Sequence, residues 1–295
     1  MKQYIKKIIP IAVFVIAMVV FCINRLGYFN KSAVSIEGAS VIFVDVGQGD
    51  CEIIRLADGR NILIDAGTDE GEYDLVKKIK DYGIKKFDIV IATHPHEDHI
   101  GGMDAVIDSF EIGTVYMPDA ATNTKTFESL LDSIENKNAK VIKAKAGVNV
   151  IDEENINMVF VAPNSDKYED LNNYSAVLKF TYGDCSFLFT GDAEKLSENE
   201  ILENSWDVRA DVLKVGHHGS STSSSTDFID AVNPDYAIIE VGADNEYGHP
   251  HKETEKVLKN TKTYRTDVCG DITAVCDGVN IKITTEDGEK NGEFK

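Results

Sequence analysis

The sequence predicts a mixed α/β (α+β) domain of layered sheets with helices outside, preceded by one N-terminal transmembrane helix. Three observations carry this: apolar runs broken by turn residues open the body, units of strand and amphipathic helix follow, and a charge-free apolar run lies near the amino terminus. With 295 residues, 43% of them hydrophobic, the chain can bury a sizeable core, which excludes disordered and disulfide-stapled miniature classes.

Taken in order, Lys2, Lys6 and Lys7 precede the run Ile8–Ile23, which has no charged or amide side chain. As a helix it spans about 24 Å, short of a roughly 30 Å hydrocarbon layer, and Ile5 and Leu26 extend it. No clear small-residue cleavage pattern follows, so an uncleaved anchor is expected, with a cleaved signal peptide as the alternative. Three lysines before the run against Arg25 alone just after it place the amino terminus in the cytoplasm and the body outside. Residues 1–29 therefore read as a cytoplasmic stub and anchor, 30–39 as a linker, 40–285 as one domain and 286–295 as a flexible acidic tail. In that topology Cys51, Cys185, Cys269 and Cys276 face an oxidising compartment, where Cys269 and Cys276 could pair or stay as buried thiols.

The runs VIFVDV, CEIIRLA and NILIDAG, separated by Gly-Gln-Gly-Asp and Asp-Gly turns, predict a strand meander. Leu75, Val76 and Ile79 have helical spacing within Glu72–Tyr82, and a strand follows at Asp88–Thr93. Further helices are expected at Thr126–Asn136, Glu194–Glu203 and Lys252–Asn260. Strands are expected near Val141, Met158, Val177 and Phe187, over Val208–Val215 and Tyr236–Val241, with two short ones at the end.

All seven histidines fall into three segments: THPHEDHIGG (His94, His96, His99), KVGHHGS (His217, His218) and YGHPH (His249, His251). Each follows a predicted strand, where functional loops sit. Leaving a strand, His94, His96 and Asp98 project alternately to one side while His99 begins a helix. Imidazole and carboxylate together suit Zn, Mn or Fe, and the adjacent Asp98 and His99 can serve a second ion. FLFTGDAE presents Asp192, a carboxylate able to bridge two cations.

These motifs resemble the metallo-beta-lactamase superfamily over Ser40–Thr284. FVDVGQGD, NNYSAVLKF, FLFTGDAE, LKVGHHGS and YGHPH resemble more narrowly the metallo-beta-lactamase domain of ComEC-type competence proteins. The resemblance implies an αββα sandwich with one or two divalent ions (Zn or Mn) at one edge. By position, His94, His96 and Asp192 would hold one ion, and Asp98, His99, Asp192 and a histidine of HHGS the other, His217 being the first choice and His218 the alternative. Asp65 would orient a ligand histidine. Superfamily members mostly carry a further histidine between the first motif and TGD. None stands between His99 and His217, and Asn172 or Asn173 occupies that region as a harder, weaker donor.

A bound dication makes water reactive near neutral pH, so no protein nucleophile is required. Asp98 or Asp192 could position that water, and His249 could steady a substrate oxygen or protonate a leaving group. Gly101 and Gly102 open a helix where free amides could meet an anion, although packing explains them almost as well. Lys214 and Ser220–Thr226 could touch phosphate, although a loop and helix cap before Asp227 and Phe228 is the preferred reading of the Ser/Thr run, and the Gln48 turn could line the cleft. The resemblance implies phosphodiester hydrolysis, as nuclease action on extracellular DNA during uptake, with single-stranded DNA as a candidate substrate and a separate uptake channel as a candidate partner. Charge speaks against DNA as the automatic substrate. Residues 1–25 hold four basic side chains and no acid, leaving 26 basic against 50 acidic ones thereafter. Small phosphate esters, lactones and a non-catalytic accessory binding module are the alternatives.

Overall fold

Apolar side chains alternate along the strands, and this gives each sheet two buried faces. The computed structural model describes residues 38–286. The run Ile8–Ile23 and the chain beyond residue 286 lie outside them. Among the described residues no helix is long and apolar enough to cross a membrane.

The antiparallel meander is β1 (Ala39–Phe43), β2 (Glu52–Leu56) and β3 (Asn61–Ile64). Parallel crossovers then build α1 (Glu72–Asp81), β4 (Lys86–Ile91), α2 (Glu97–Ile100), α3 (Met103–Ser109), β5 (Glu111–Met117), α4 (Lys125–Asn136) and β6 (Lys140–Lys143). A second antiparallel run holds β7 (Asn149–Glu153), β8 (Ile156–Phe160), β9 (Leu178–Tyr182) and β10 (Cys185–Phe189). Crossovers follow again with α5 (Lys195–Glu203), β11 (Val212–Lys214), α6 (Thr226–Val232), β12 (Tyr236–Ile239), α7 (Lys252–Val257) and β13 (Lys262–Arg265). The chain ends in α8 (Thr266–Cys269), β14 (Ile272–Cys276) and β15 (Ile281–Thr285). One sheet runs β15-β14-β1-β2-β3-β4-β5-β6 and the other β13-β12-β11-β10-β9-β8-β7.

Ala39, Val41 and Phe43 of β1 face the same central core as Phe187 and Phe189 of β10. The alternate residues Ile42 and Val44 pack outward, in one cluster with Leu75 and Ile79 of α1 and Leu130 of α4. On the other sheet Leu188 and Leu213 turn outward, in one cluster with Ile201 of α5 and Phe228 of α6. Helix, sheet, sheet and helix therefore stack in that order. Thr124 caps α4 by accepting from Phe127 N, and Ser225 caps α6 by accepting from Phe228 N, so the Ser/Thr run before Asp227 is a helix cap.

The sequence reading omits α3, β5, β7 and α8, all too short or too polar to show a clear period, expects two terminal strands where β13, β14 and β15 stand, and its strand Val208–Val215 shrinks to Val212–Lys214. Of the two readings left open for Cys269 and Cys276, the structure shows the buried thiol at Cys269 and no bond between the two. Cys276 of β14 is bonded to Cys185 of β10, which ties one sheet to the other across 91 residues. Replacing both by Ala is expected to cost about 2–4 kcal/mol by freeing the unfolded chain. Thermal melts should fall by roughly 10 °C. An unchanged midpoint would mean that the bridge contributes nothing.

Candidate metal centre

Strands of both sheets deliver their following loops to one edge of the sandwich. β3 runs into Asp65, β4 into His94–His99, β10 into Asp192, and β11 into His217 and His218. Backbone bonds lace these loops together. Asp50 N donates to Asp98 O, Ala66 N to His99 O, Ala176 N to Thr93 O, and His217 N to Gly191 O. At Gly49, with φ +141°, a Cβ would meet Asp98 O at 2.4 Å, so only glycine lets the Gln48 turn sit against the histidine loop.

Nitrogens and oxygens of His94, His96 and Asp192 lie within 4.8 Å of one another, and so do those of Asp98, His99 and His218. Asp192 faces both groups. Its Oδ1 is 3.2 Å from His99 Nε2 and 3.7 Å from His218 Nε2, and its Oδ2 is 3.8 Å from His94 Nε2. His94, His99 and Asp192 are almost wholly buried. Asp98 and His99 sit together on α2, with His96 as its N-cap, instead of His94, His96 and Asp98 alternating along a strand.

The back of each ring is held. Asp65 Oδ2 is 2.7 Å from His99 Nδ1, and the same carboxylate accepts from Thr93 N and Oγ1. His218 Nδ1 is 3.0 Å from Glu240 O, and Ser175 Oγ accepts from Asp192 N. Two inward atoms lack partners: His99 Nε2 and Asp192 Oδ1 are buried without a hydrogen bond, although 3.2 Å apart, while His94 Nε2 lies 3.0 Å from His96 Nδ1 and His218 Nε2 lies 3.2 Å from Asp98 Oδ2. Such orphans are costly unless something else satisfies them. Burial opposes charge on His218, yet Asp192 and Asp50 push its pKa up to about 10. The same balance holds Asp98 well below the usual carboxylate range, with His99 and His218 outweighing burial. The carboxylates thus demand positive charge here, and the donor set fits divalent ions, whose binding would displace those protons.

Several sequence expectations change. His218 joins Asp98 and His99, whereas His217, the first choice, turns to Asp192 Oδ2 at 3.5 Å and Thr222 Oγ1 at 3.1 Å and belongs to neither group. Both carry φ +52° in one tight turn, so adjacent rings diverge. Asn173 Oδ1 accepts from Ser197 N, while the Asn172 oxygen is buried without a partner and the residue lines the cleft. Lys214 cannot reach phosphate. It is fully buried with Nζ 2.6 Å from Asp50 Oδ2. The amides of Gly101 and Gly102 donate to Glu97 O and Gly67 O, and Cβ atoms there would strike Asp69 N and Ala66 O, so these glycines serve packing.

The reading missed Asp50, Glu52 and Glu240, buried carboxylates behind the histidines. A charged residue ending a Gly-rich turn or starting a strand gives no such signal. His249 stands at the cleft, half-buried, its pKa lowered to about 4 by burial and by His218 and His217, so it is neutral near pH 7. A neutral ring can donate N–H to a substrate oxygen but has no imidazolium proton to give. The cleft holds about 650 Å³, within the range of small-molecule sites.

The sequence model described as Metallo-beta-lactamase superfamily matches residues 44–242. ComE operon protein 3 of Bacillus subtilis (strain 168) is 31% identical over 83% of this chain and 34% of its own length. Competence protein ComA of Neisseria gonorrhoeae is 29% identical over 82% and 33% respectively. The chain thus spans about a third of these relatives. Among solved structures, CmlA, a diiron beta-hydroxylase from Streptomyces venezuelae, shares the fold at TM-score 0.55 and 16% identity, over 81% of this chain and 54% of that one. Zn(2+)-bound PqqB from Methylobacterium extorquens does so at TM-score 0.51 and 8% identity, over 77% and 97%.

Proposed function

The chain belongs to the metallo-beta-lactamase superfamily, and on that footing we propose that it is a membrane-anchored, extracytoplasmic phosphodiesterase or nuclease of ComEC-like type. The observation that carries this is the cluster of imidazoles and carboxylates gathered around Asp192, with His99 Nε2 and Asp192 Oδ1 buried and unpartnered, opening into the cleft. His94, His96 and Asp192 would hold one ion, Zn or Mn, and Asp98, His99, His218 and Asp192 a second. Divalent ions there would supply Lewis acidity, making water acidic near neutral pH and offsetting charge on a phosphoryl oxygen.

The protein's own residues do the rest. Asp65 fixes the His99 ring so that Nε2 points inward. Ser175 fixes the Asp192 loop through its backbone amide. Asp98, ionised and partly open to the cleft, is placed to orient an attacking water. His249 donates its ring N–H toward a substrate oxygen.

The competence relatives support a DNA-uptake setting, in which a separate uptake channel would be the partner. The apolar run Ile8–Ile23 supports anchorage, and the Cys185–Cys276 bridge supports an extracytoplasmic body. The test is the full chain in detergent with Mn or Zn, assayed on bis-p-nitrophenyl phosphate, single-stranded DNA and nitrocefin. Metal-dependent phosphodiester hydrolysis with nitrocefin untouched is expected. Turnover of the small diester alone assigns small phosphate esters, the reading that the acidic balance favours. A folded, metal-loaded protein inert on every phosphoester overturns the proposal in favour of an accessory binding module.

A further inference from the structure

Tyr247 is a large aromatic side chain left 66% exposed at the mouth of the cleft. Its ring lies against His249, centroids 5.6 Å apart and planes 23° apart, and His249 in turn stacks at 6.4 Å on His218. A ladder of near-parallel rings therefore runs from solvent to the candidate metal centre.

The loop that carries the ladder is preorganised. Asn245 Nδ2 donates to Gly242 O and His249 O, and Asn245 Oδ1 accepts from His249 N. His251 Nε2 lies 3.2 Å from Tyr247 O. Holding an exposed ring in a fixed plane lowers the entropy lost when a flat partner settles on it. The lining residues around Tyr247 define that partner further. They include Glu97, Asp244 and Glu246 and, among the described residues, no lysine or arginine. A duplex, with a phosphate charge every 1.7 Å or so, has no counterion-displacing groove here. An unpaired base offers an uncharged π-face that the acids do not repel, and stacking on an aromatic ring does not require a particular base.

We infer that Tyr247 is a stacking platform for an unpaired nucleobase flanking the scissile phosphodiester. The inference rests on the phosphodiesterase reading for its chemistry, but the platform itself is measurable by binding alone.

The test uses the full chain, Tyr247→Ala and Tyr247→Trp with a fluorescein-labelled oligothymidylate, the same oligomer carrying abasic sugars, and the duplex. In the wild type with Mn, kcat/KM for the base-bearing strand is expected to exceed that for the abasic strand. Tyr247→Ala should collapse this ratio by on the order of tenfold, and Tyr247→Trp should retain it. Anisotropy with the same strands should show the same loss in relative Kd. If no strand is cleaved, the phosphodiesterase reading falls and the Kd ratios still decide the platform. Equal losses on base-bearing and abasic strands, or no change in either ratio, overturn it.

Discussion

Asp192→Ala is expected to cut metal-dependent hydrolysis by about 10³-fold, the loss that follows when roughly 4 kcal/mol of transition-state stabilisation disappears. The expectation comes from position. The Asp192 oxygens lie between the two donor groups, one toward His99 and His218 and the other toward His94. Removing them takes an acceptor from both, whereas losing His96 or Asp98 weakens only one. Asp65→Ala touches no ion directly and releases the His99 ring, so a smaller loss of about 10–100-fold is expected. Metal content by atomic emission separates the two. Asp192→Ala should fall below one ion per chain while its far-ultraviolet circular dichroism stays unchanged. If this variant keeps two ions and full turnover, the assignment of the centre fails at its root.

Much of this edge can be read from short motifs, because a strand end aims neighbouring side chains at one place. HPHEDH and TGD each lie on one such loop, and His94, His96, His99 and Asp192 do gather. What cannot be read is set by tertiary contact. His217 and His218 are adjacent and chemically identical, and only the left-handed turn decides which ring meets Asp98. Cys185 and Cys276 meet because β10 and β14 face each other across the central core, a fact without local trace. Asp50, Glu52, Lys214 and Glu240 come from three separate stretches and look like turn and strand residues until the sheets are stacked. Tyr247 lies in a segment with no hydrophobic period, and its neighbours are mostly polar, so nothing in the sequence marks the ring stacking that places it at the cleft.

Lys214→Met should destabilise the fold by about 3–5 kcal/mol, a large share of a typical 5–15 kcal/mol, and lower the melting midpoint by roughly 10 °C. The Lys214 ammonium is the cation within a buried nest of carboxylates, 2.6 Å from Asp50 Oδ2 and 4.0 Å from Glu240 Oε2. Burial works against ionising Asp50, and Lys214 together with His218 and His99 outweighs it, holding the pKa at about 2. Burial and the neighbouring acids push Glu52 and Glu240 well above the usual glutamate range despite Lys214, so both hold their protons to higher pH than an exposed glutamate does. The signs differ. The depressed Asp50 contributes stability above its unfolded pKa near 3.9 that is lost as pH falls through 2. The raised glutamates contribute below their unfolded pKa near 4.3, and that part is lost as pH rises through their elevated folded values. Glu52→Gln should therefore flatten the loss of melting temperature on the alkaline side, and Lys214→Met combined with Asp50→Asn should recover most of the single variant's deficit. Because Asp50 Oδ1 is 3.1 Å from His218 Nδ1, a lysine acting only on folding would leave metal affinity intact, whereas one that also orients the ring through Asp50 would weaken it about 10–100-fold. Titrating metal into Lys214→Met well below its melting point separates these roles, and the short Lys214–Asp50 contact favours the second.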